Sequence, residues 1–312
     1  MDSRRLQNVD LLATGELLID FISTDFAENL DDATNFKRIP GGSPANLCMN
    51  MARLGNRVSL AASVGNDDMG HYLLKYVESH GVDVRQLHRV SAPTTIILVT
   101  RSQQVSNFEA YRGADSRISG EQFPENLLGD ISIFHTTCFG LSLEPARSVI
   151  LTAAQKANAR GCQLSIDANY AEKIWPDRQE AQDIVQTYVK MGAILKISEI
   201  DWERLYSQAL PEPETAARHF LDMGARAVCV TLGAKGALVA SRKESHYLEA
   251  RTVEVKDTTG TGDAFWAGFL TAWLDSRSLR QCGLAGRRMA ELKLEHFGPL
   301  PQRMERELIF EE

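Results

Sequence analysis

The chain has 312 residues, of which 44% are hydrophobic and 24% are charged, and its formal net charge is −7. This composition predicts a folded protein with one large core and excludes extended low-complexity disorder. The acidic balance argues against nucleic acid or an anionic membrane as the main partner, so we expect a small-molecule ligand. The five cysteines lack metal-binding spacing and no apolar run could span a bilayer, which predicts reduced thiols in a cytoplasmic protein.

The N-terminal part begins with a predicted strand at 9–13, which leads into the segment GELLIDF at 15–21. Asp20 is a carboxylate among apolar residues, and such a group rarely lacks a partner. A ligand hydroxyl would be one partner at a binding site, and water would be the partner if Asp20 lies at an exposed strand end.

A helix is predicted after the glycine pair Gly41 and Gly42, with Pro44 in its first turn and Gly55 at its end. Glycines before a helix N-terminus allow a polar ligand to approach backbone amides. Asn46 lies in the first turns and offers both a donor and an acceptor to a polyol.

The next strand is predicted at 58–64, and a helix follows it up to Gly81, with Asp67 or Asp68 as the helix cap. A hairpin is predicted after this helix. Alternating residues at 94–101 and 107–112 flank the polar segment 102–106, so two strands are inserted between βα units. Arg112 ends the second strand. It is a candidate to contact substrate, the alternative being an exposed hairpin arginine.

Strands and helices alternate from residue 131, with strands predicted at 131–138, 163–167, 193–197 and 228–232. This rhythm predicts an α/β fold with a Rossmann-like, mostly parallel sheet covered by helices on both faces. Ligands of such sheets bind at the carboxyl ends of the strands. The polar residues at these ends are Asp167, Asn169, Ser198, Asp201 and Thr231. Ser198 with Asp201 also has the spacing of a helix-capping box.

The segment 257–265 reads DTTGTGDAF and precedes an apolar run at 266–274. Gly260 and Gly262 bracket Thr261 and leave backbone amides exposed at a helix N-terminus, which is an anion site. Asp263 lies in the first turn, where we expect the helix dipole to lower its pKa and keep it ionised. It could then accept the proton of an attacking hydroxyl. The alternative is a turn without chemistry.

This segment resembles the C-terminal signature of the ribokinase-like, or phosphofructokinase-B, carbohydrate kinases, with Thr261 where the family usually has alanine. The segment 40–55 resembles the N-terminal signature of the same family, and the resemblance extends from about residue 15 to 301. The segment TGELLIDF is most similar to fructokinases. The resemblance implies a single ribokinase-like domain over 1–312, with a small β-sheet lid formed by segments at about 15–40 and 93–115.

The same resemblance implies roles for individual residues. Asp263 would be the catalytic base, and the amides of Gly260, Thr261 and Gly262 would form an anion hole. The sugar would be held by Asp20, Gly41, Gly42 and Asn46, with Arg112 as the candidate from the lid. The nucleotide would contact Asn169, Ser198, Thr231, Gly233 and Gly236. Mg²⁺ would be bound by Asp201 through water, with Asp167 as a further ligand.

One position departs from the family. Fructokinases and 2-keto-3-deoxygluconate kinases commonly have an arginine where this chain has Ala171. Arg112 or Lys173 could supply the missing cation. The identity of the substrate therefore does not simply follow from the resemblance.

The sequence is interpreted as an ATP-dependent kinase that transfers the γ-phosphate to a hydroxyl of a small sugar. Fructose is the first candidate, 2-keto-3-deoxygluconate the second, and ribose or a nucleoside the third. A catalytically silent sugar or nucleotide sensor on the same fold is the alternative of a different class. The cofactors expected are ATP and Mg²⁺. A monovalent cation and a homodimer formed through the lid are left open, and no nucleic acid or membrane partner is expected.

Overall fold

The computed structural model describes residues 9–101 and 107–311, and we number its strands and helices in chain order. The strands are β1 (Val9–Thr14), β2 (Leu18–Phe26), β3 (Phe36–Gly41), β4 (Val58–Gly65), β5 (Leu87–Val90), β6 (Ile96–Arg101), β7 (Phe108–Tyr111), β8 (Ile131–Thr137), β9 (Gln163–Asp167), β10 (Ile194–Ser198), β11 (Ala227–Thr231), β12 (Ala237–Ala240) and β13 (Ser245–Leu248). The helices are α1 (Ser43–Arg53), α2 (Asp68–Ser79), α3 (Glu125–Leu128), α4 (Ala146–Ala159), α5 (Arg178–Val189), α6 (Glu199–Tyr206), α7 (Pro213–Met223), α8 (Thr261–Leu274) and α9 (Leu279–Leu294).

A large sheet forms the centre of the molecule, with the strand order β13-β12-β11-β10-β9-β8-β1-β4-β5. Its strands pair in parallel from β11 through β5, whereas β12 and β13 add an antiparallel edge. Because the carboxyl ends of parallel strands meet at one edge, this arrangement brings the residues after β8, β9, β10 and β11 together.

Two hydrophobic cores lie on the two faces of this sheet. Successive side chains of a strand point to opposite faces, so Leu12 packs with α4 to α7 while Leu11 packs with α1, α2, α8 and α9. Both faces of the central strands are therefore buried, which explains why they read as continuous apolar runs rather than alternating ones.

A separate small sheet has the order β3-β2-β6-β7. Strand β2 pairs in parallel with β6 and antiparallel with β3, and β6 pairs antiparallel with β7. In this register Asp20 lies opposite Ile39 on one side and Ile97 on the other. The predicted fold class is confirmed, including the small sheet and the pairing of its hairpin strands, although the predicted polar turn at 102–106 lies outside the described residues.

The helices found in the described ranges are all too short or too polar to cross a bilayer.

Asp67 caps α2 and joins this helix to the segment that enters the small sheet. Its Oδ1 accepts hydrogen bonds from Gly70 N (2.8 Å) and Thr94 Oγ1 (2.6 Å), and its Oδ2 accepts one from Thr94 N (2.8 Å). Burial raises the pKa of this carboxyl, but the hydrogen bonds from Thr94 and Gly70 outweigh burial and lower it. The ionised side chain therefore stabilises the fold above its unfolded pKa, and this stabilisation is lost as the pH falls through the lowered folded pKa.

We expect Asp67→Ala to lower the free energy of unfolding by about 1–2 kcal/mol at pH 7, because a helix cap is lost. Asp68→Ala is the matched control, since Asp68 is the first residue of the same helix and should contribute less than about 1 kcal/mol through the helix dipole. Chemical denaturation measures both, and the gap between the variants should shrink at low pH. Equal losses at every pH would contradict the role of Asp67.

Candidate active site

The loop before α8 exposes backbone donors at the helix N-terminus. Gly260 is the N-cap residue with a left-handed backbone (φ 72°). The Thr261 amide and hydroxyl both turn back to Thr258 O, at 3.3 and 2.8 Å. In the described chain the amides of Gly260 and Gly262 donate to no protein acceptor. These two amides are therefore available for an anion, whereas the Thr261 amide is already engaged.

The carboxylate of Asp263 connects the two helix N-termini that the sequence singled out. Its Oδ1 accepts a hydrogen bond from Ser43 Oγ (2.6 Å), and its Oδ2 accepts one from Asn46 Nδ2 (2.9 Å). Both donors lie in the first turns of α1, more than 200 residues earlier in the chain. The N-termini of α1 and α8 thus converge on one side chain.

The expectation that Asp263 has a lowered pKa was wrong. Burial of the carboxyl raises its pKa to about 6, and the negative charge of Asp167 adds to this effect. The hydrogen bonds from Ser43 and Asn46 and the charge of Lys196 act in the opposite direction without reversing it. Asp263 is nevertheless mostly ionised at pH 7, and it is closer to neutrality than an exposed aspartate, as a general base should be.

A buried carboxyl that sequence reasoning missed, Glu16, supports the start of α1. Its Oε1 accepts from Ser43 N (3.1 Å) and its Oε2 accepts from Thr137 Oγ1 (2.7 Å). Gly42 has φ 110°, and a Cβ there would collide with the Glu16 carbonyl oxygen, so only glycine fits. Burial raises the pKa of Glu16 to about 8. The sequence feature that could have indicated this residue was a glutamate directly before an apolar run.

Asp20 lies on the small sheet within electrostatic reach of Asp263. Burial and the charge of Asp263 raise its pKa to about 7. A side chain at Gly41 would collide with the Asp20 carboxylate, so this glycine makes room for it. Asp20 is partly exposed, and none of the residues that the structure describes forms a hydrogen bond with its side chain. The carboxylate is therefore free to accept hydrogen bonds from a ligand.

Arg112 is not an exposed hairpin arginine. Its guanidinium pairs with the buried Asp115, donates to Ser142 Oγ (2.5 Å) and stacks 4.3 Å from the ring centroid of Phe139. Lys173 is also engaged, because its Nζ contacts Glu109 (2.6 Å) and other atoms of the β7 strand region. Both candidates to replace the arginine missing at Ala171 therefore have protein partners in this structure.

Lys196 is the second residue that sequence reasoning missed. Its ammonium is buried in the centre of the site and lies 3.0 and 2.8 Å from the two carboxylate oxygens of Asp167. A Cβ built on Gly262 would lie 3.4 Å from Lys196 Nζ, so a positive charge lies directly beneath the loop before α8. Burial opposes this charge, but Asp167 and Asp201 raise the pKa of Lys196 above its ordinary value. The sequence feature that could have indicated this residue was a lysine within the apolar strand ILKIS.

Ser198 and Asp201 form a helix-capping box at the start of α6, as the alternative reading of their spacing predicted. Asp201 Oδ2 accepts from Ser198 N (3.0 Å) and Ser198 Oγ (2.5 Å), and Asp201 N donates to Ser198 Oγ (3.0 Å). Burial, together with the charge of Asp167, raises the pKa of Asp201 to about 6, although the charge of Lys196 and the hydrogen bonds from Ser198 oppose this shift. Its Oδ1 is not used by this box.

The residues predicted to contact nucleotide lie along the same edge of the sheet. Thr231 pairs with Ser198 at the ends of β11 and β10. Gly233 begins a short 3-10 turn, and Gly236 follows it with φ 103°, where a Cβ would collide with Leu248 O. Asn169 Oδ1 is buried and finds no hydrogen-bond donor among the residues described. That oxygen can accept a hydrogen bond from a ligand or from a metal-bound water.

The site as a whole has an excess of negative charge. Asp167, Asp201 and Asp263 surround the single ammonium of Lys196, so the fully ionised cluster carries two uncompensated negative charges. Within 9–101 and 107–311, no three histidine, cysteine, aspartate or glutamate side chains group closely enough to hold a metal ion by themselves. A divalent cation here would share its coordination with water and a ligand.

Comparisons with known proteins agree with this geometry. A family model described as pfkB family carbohydrate kinase matches residues 9–304. The chain is 32% identical over 291 residues to the ATP-dependent 6-phosphofructokinase of Thermoanaerobacterium thermosaccharolyticum, which covers 93% of this chain and 89% of that protein. It is 31% identical over 273 residues to probable fructokinase-3 of Arabidopsis thaliana, which covers 86% and 79% respectively.

Among solved structures, the fructokinase of Halothermothrix orenii superposes with a TM-score of 0.80 at 29% sequence identity, covering 89% of this chain and 98% of that one. The family match extends over nearly the whole chain, from the first described strand to the segment after α9. The chain therefore belongs to the pfkB family of carbohydrate kinases and is an ATP-dependent sugar kinase.

Proposed function

We propose that this kinase phosphorylates fructose and that Asp263 is its catalytic base. The observation that carries the proposal is the position of Asp263 between the N-termini of α1 and α8, beside the free amides of the loop. Each oxygen of Asp263 accepts one hydrogen bond and has room for another, so an attacking sugar hydroxyl can donate to it. The Gly260 and Gly262 amides then hold the transferring phosphoryl group, whose charge Lys196 also offsets.

The sugar is proposed to bind between the small sheet and the start of α1. Asp20 offers an unoccupied carboxylate, and Gly41 and Gly42 keep the space beside it open. Asn46 uses its amide nitrogen on Asp263, so its oxygen is left to accept from a sugar hydroxyl. The small sheet serves as a lid that excludes water. Lys173, which lies outside this sheet, contacts Glu109 of β7 and so connects the sheet to the body of the molecule.

ATP is proposed to lie along the ends of β9, β10 and β11, near Asn169, Ser198, Thr231, Gly233 and Gly236. The residues fit Mg²⁺, because Asp201 Oδ1 and the orphaned Asn169 Oδ1 lie beside a cluster with excess negative charge. Mg²⁺ needs only one or two carboxylates and keeps several waters, so Asp201 can hold it through water. When bound, it neutralises charge on the phosphate oxygens. Asp167 acts mainly through Lys196, because both of its oxygens accept from that ammonium.

Fructose is preferred for two reasons. Proteins named fructokinase appear both among the similar sequences and among the similar solved structures. The second candidate, 2-keto-3-deoxygluconate, has a carboxylate, and the two cations that could face it are engaged with Asp115 and with β7. Ribose or a nucleoside is the third candidate, and fructose 6-phosphate is added because one relative is a 6-phosphofructokinase. A catalytically silent sensor would not need the complete set of Asp263, its donors and the free amides.

A homodimer through the lid is part of the proposal. Phe26 and Tyr111 lie on the small sheet with 62% and 59% of their surface exposed. Aromatic rings on an exposed sheet are typical of association surfaces.

The first experiment is ADP release from Mg·ATP with fructose, fructose 6-phosphate, glucose, 2-keto-3-deoxygluconate, ribose and adenosine as acceptors. We expect turnover on fructose, and Asp263→Asn should lower kcat by ~10²–10⁴ because the base is lost. The kcat of the unmodified enzyme should fall as the pH drops through about 6, since Asp263 must be ionised to accept a proton.

The Asp263→Asn protein should remain folded, because asparagine keeps the shape of the side chain, and its free energy of unfolding should fall by about 1 kcal/mol because one of the two accepted hydrogen bonds is lost. A folded Asp263→Asn protein with full turnover would contradict the catalytic role. The absence of ADP release with every acceptor, combined with thermal stabilisation by ATP and a sugar, would instead favour the hypothesis of a catalytically silent sensor.

The role of Asp20 has a separate test. We expect Asp20→Ala to raise the KM for the sugar far more than the KM for ATP, because the carboxylate faces the sugar. Asp31→Ala is the matched control, since Asp31 is an exposed aspartate between the two lid strands β2 and β3. Steady-state kinetics with each substrate varied in turn measure both constants. Equal rises in both KM values would contradict the proposal that Asp20 binds the sugar.

A further inference from the structure

A second lysine lies at the other end of the loop before α8. Lys293, in the last turn of α9, is 93% buried, and its Nζ lies 3.0 Å from Asp257 Oδ2. The same nitrogen is 3.5 Å from His296 O. Asp257 is the first residue of the DTTGTGD segment, so a fixed ammonium is attached to the start of the loop whose amides are proposed to hold the phosphoryl group.

The pair is part of a larger clamp between α9 and the loop. Leu294 O accepts from Lys256 N (2.8 Å) and from Asp257 N (3.4 Å). Asp257 also accepts from Thr259 N (2.9 Å) and Gly298 N (3.2 Å). Burial raises the pKa of Asp257, but the bonds from Thr259 and Lys293 outweigh it and lower the pKa. The carboxylate is therefore ionised and its charge is balanced inside the protein.

A monovalent cation does not fit this arrangement. The segment 257–263, which comprises the loop and the first turn of α8, has two carboxylates: Asp263, which binds the donors of α1, and Asp257, which binds the end of α9. A cation that ordered the loop from the α9 side would be attracted to Asp257, because this carboxylate carries the negative charge of the loop on that side. Both oxygens of Asp257 already accept hydrogen bonds, and the positive charge beside them is that of Lys293.

We propose that the ammonium of Lys293 takes the place of a monovalent cation, so that the loop is ordered without added potassium or sodium. Lys293 is thus a positioning residue that acts on the anion hole through Asp257. The inference rests on the proposed function of that loop. It predicts that removing the ammonium leaves a partly buried carboxylate that potassium can then neutralise.

The test compares the unmodified kinase with Lys293→Met in KCl and in tetramethylammonium chloride at equal ionic strength. The rate of ADP release by the unmodified enzyme should agree in the two salts within about twofold, whereas Lys293→Met should be about 10-fold faster in KCl. The unfolding midpoint of Lys293→Met should also rise in KCl, because potassium binds the folded protein only. This second measurement needs no sugar, so it remains decisive if fructose is not the substrate.

Two further variants make the comparison specific. In Lys293→Met/Asp257→Asn the carboxylate is absent, so both responses to potassium should disappear. Lys190→Met, which removes an exposed lysine at the end of α5, should behave as the unmodified protein does. Activation or stabilisation of the unmodified enzyme by potassium would overturn the proposal, as would a folded Lys293→Met protein that potassium neither activates nor stabilises. If Lys293→Met does not fold, the response of the unmodified enzyme decides the question.

Discussion

The geometry of the candidate active site depends on the contact between the Asp263 carboxylate and the first turn of α1. Two helices that begin 218 residues apart, at Ser43 and Thr261, meet because Ser43 and Asn46 donate to this one side chain. Helix N-termini carry partial positive charge, so both helices stabilise a carboxylate that burial disfavours. The same contact places the proposed base between the proposed sugar side, formed by α1 and the small sheet, and the proposed phosphate side, formed by α8.

The balance of charge in the cleft follows from this position. Asp263 is near Asp20 on one side and Asp167 on the other, and the pKa values of Asp20 and Asp263 are raised in part for that reason. Lys196 offsets only one of the three negative charges of Asp167, Asp201 and Asp263, so this cluster of side chains has a net negative charge. In the proposed complex, a magnesium nucleotide would bring positive charge to the acidic cluster and an anion to the loop amides, so both groups of residues would gain a partner of opposite charge.

Much of this arrangement could be predicted from the sequence, because it depends on local patterns. The glycine pairs before α1 and α8, the capping residues Asp67 and Ser198, and the alternation of strands and helices are short-range features. The partners of buried charges cannot be predicted in this way, because they are not short-range features. Glu16, Ser43 and Lys196 acquire their importance from residues that lie far away in the chain, and the sequence shows each only as a polar residue in an apolar or helical setting. The pKa of Asp263 was mispredicted for the same reason, since its burial is produced by several distant segments.

The loop before α8 illustrates why such long-range charges matter for catalysis. Backbone amides stabilise a transferring phosphoryl group only when they are already oriented, because reorienting them during the reaction would consume the stabilisation they provide. In this chain the end of the loop lies over the ammonium of Lys196 and its start is bound to the end of α9. Both ammonium groups come from regular elements, a central strand and a long helix, whose positions are fixed by the hydrophobic cores. The core of the protein therefore fixes the position of the loop, in which the described residues leave the amides of Gly260 and Gly262 without an acceptor.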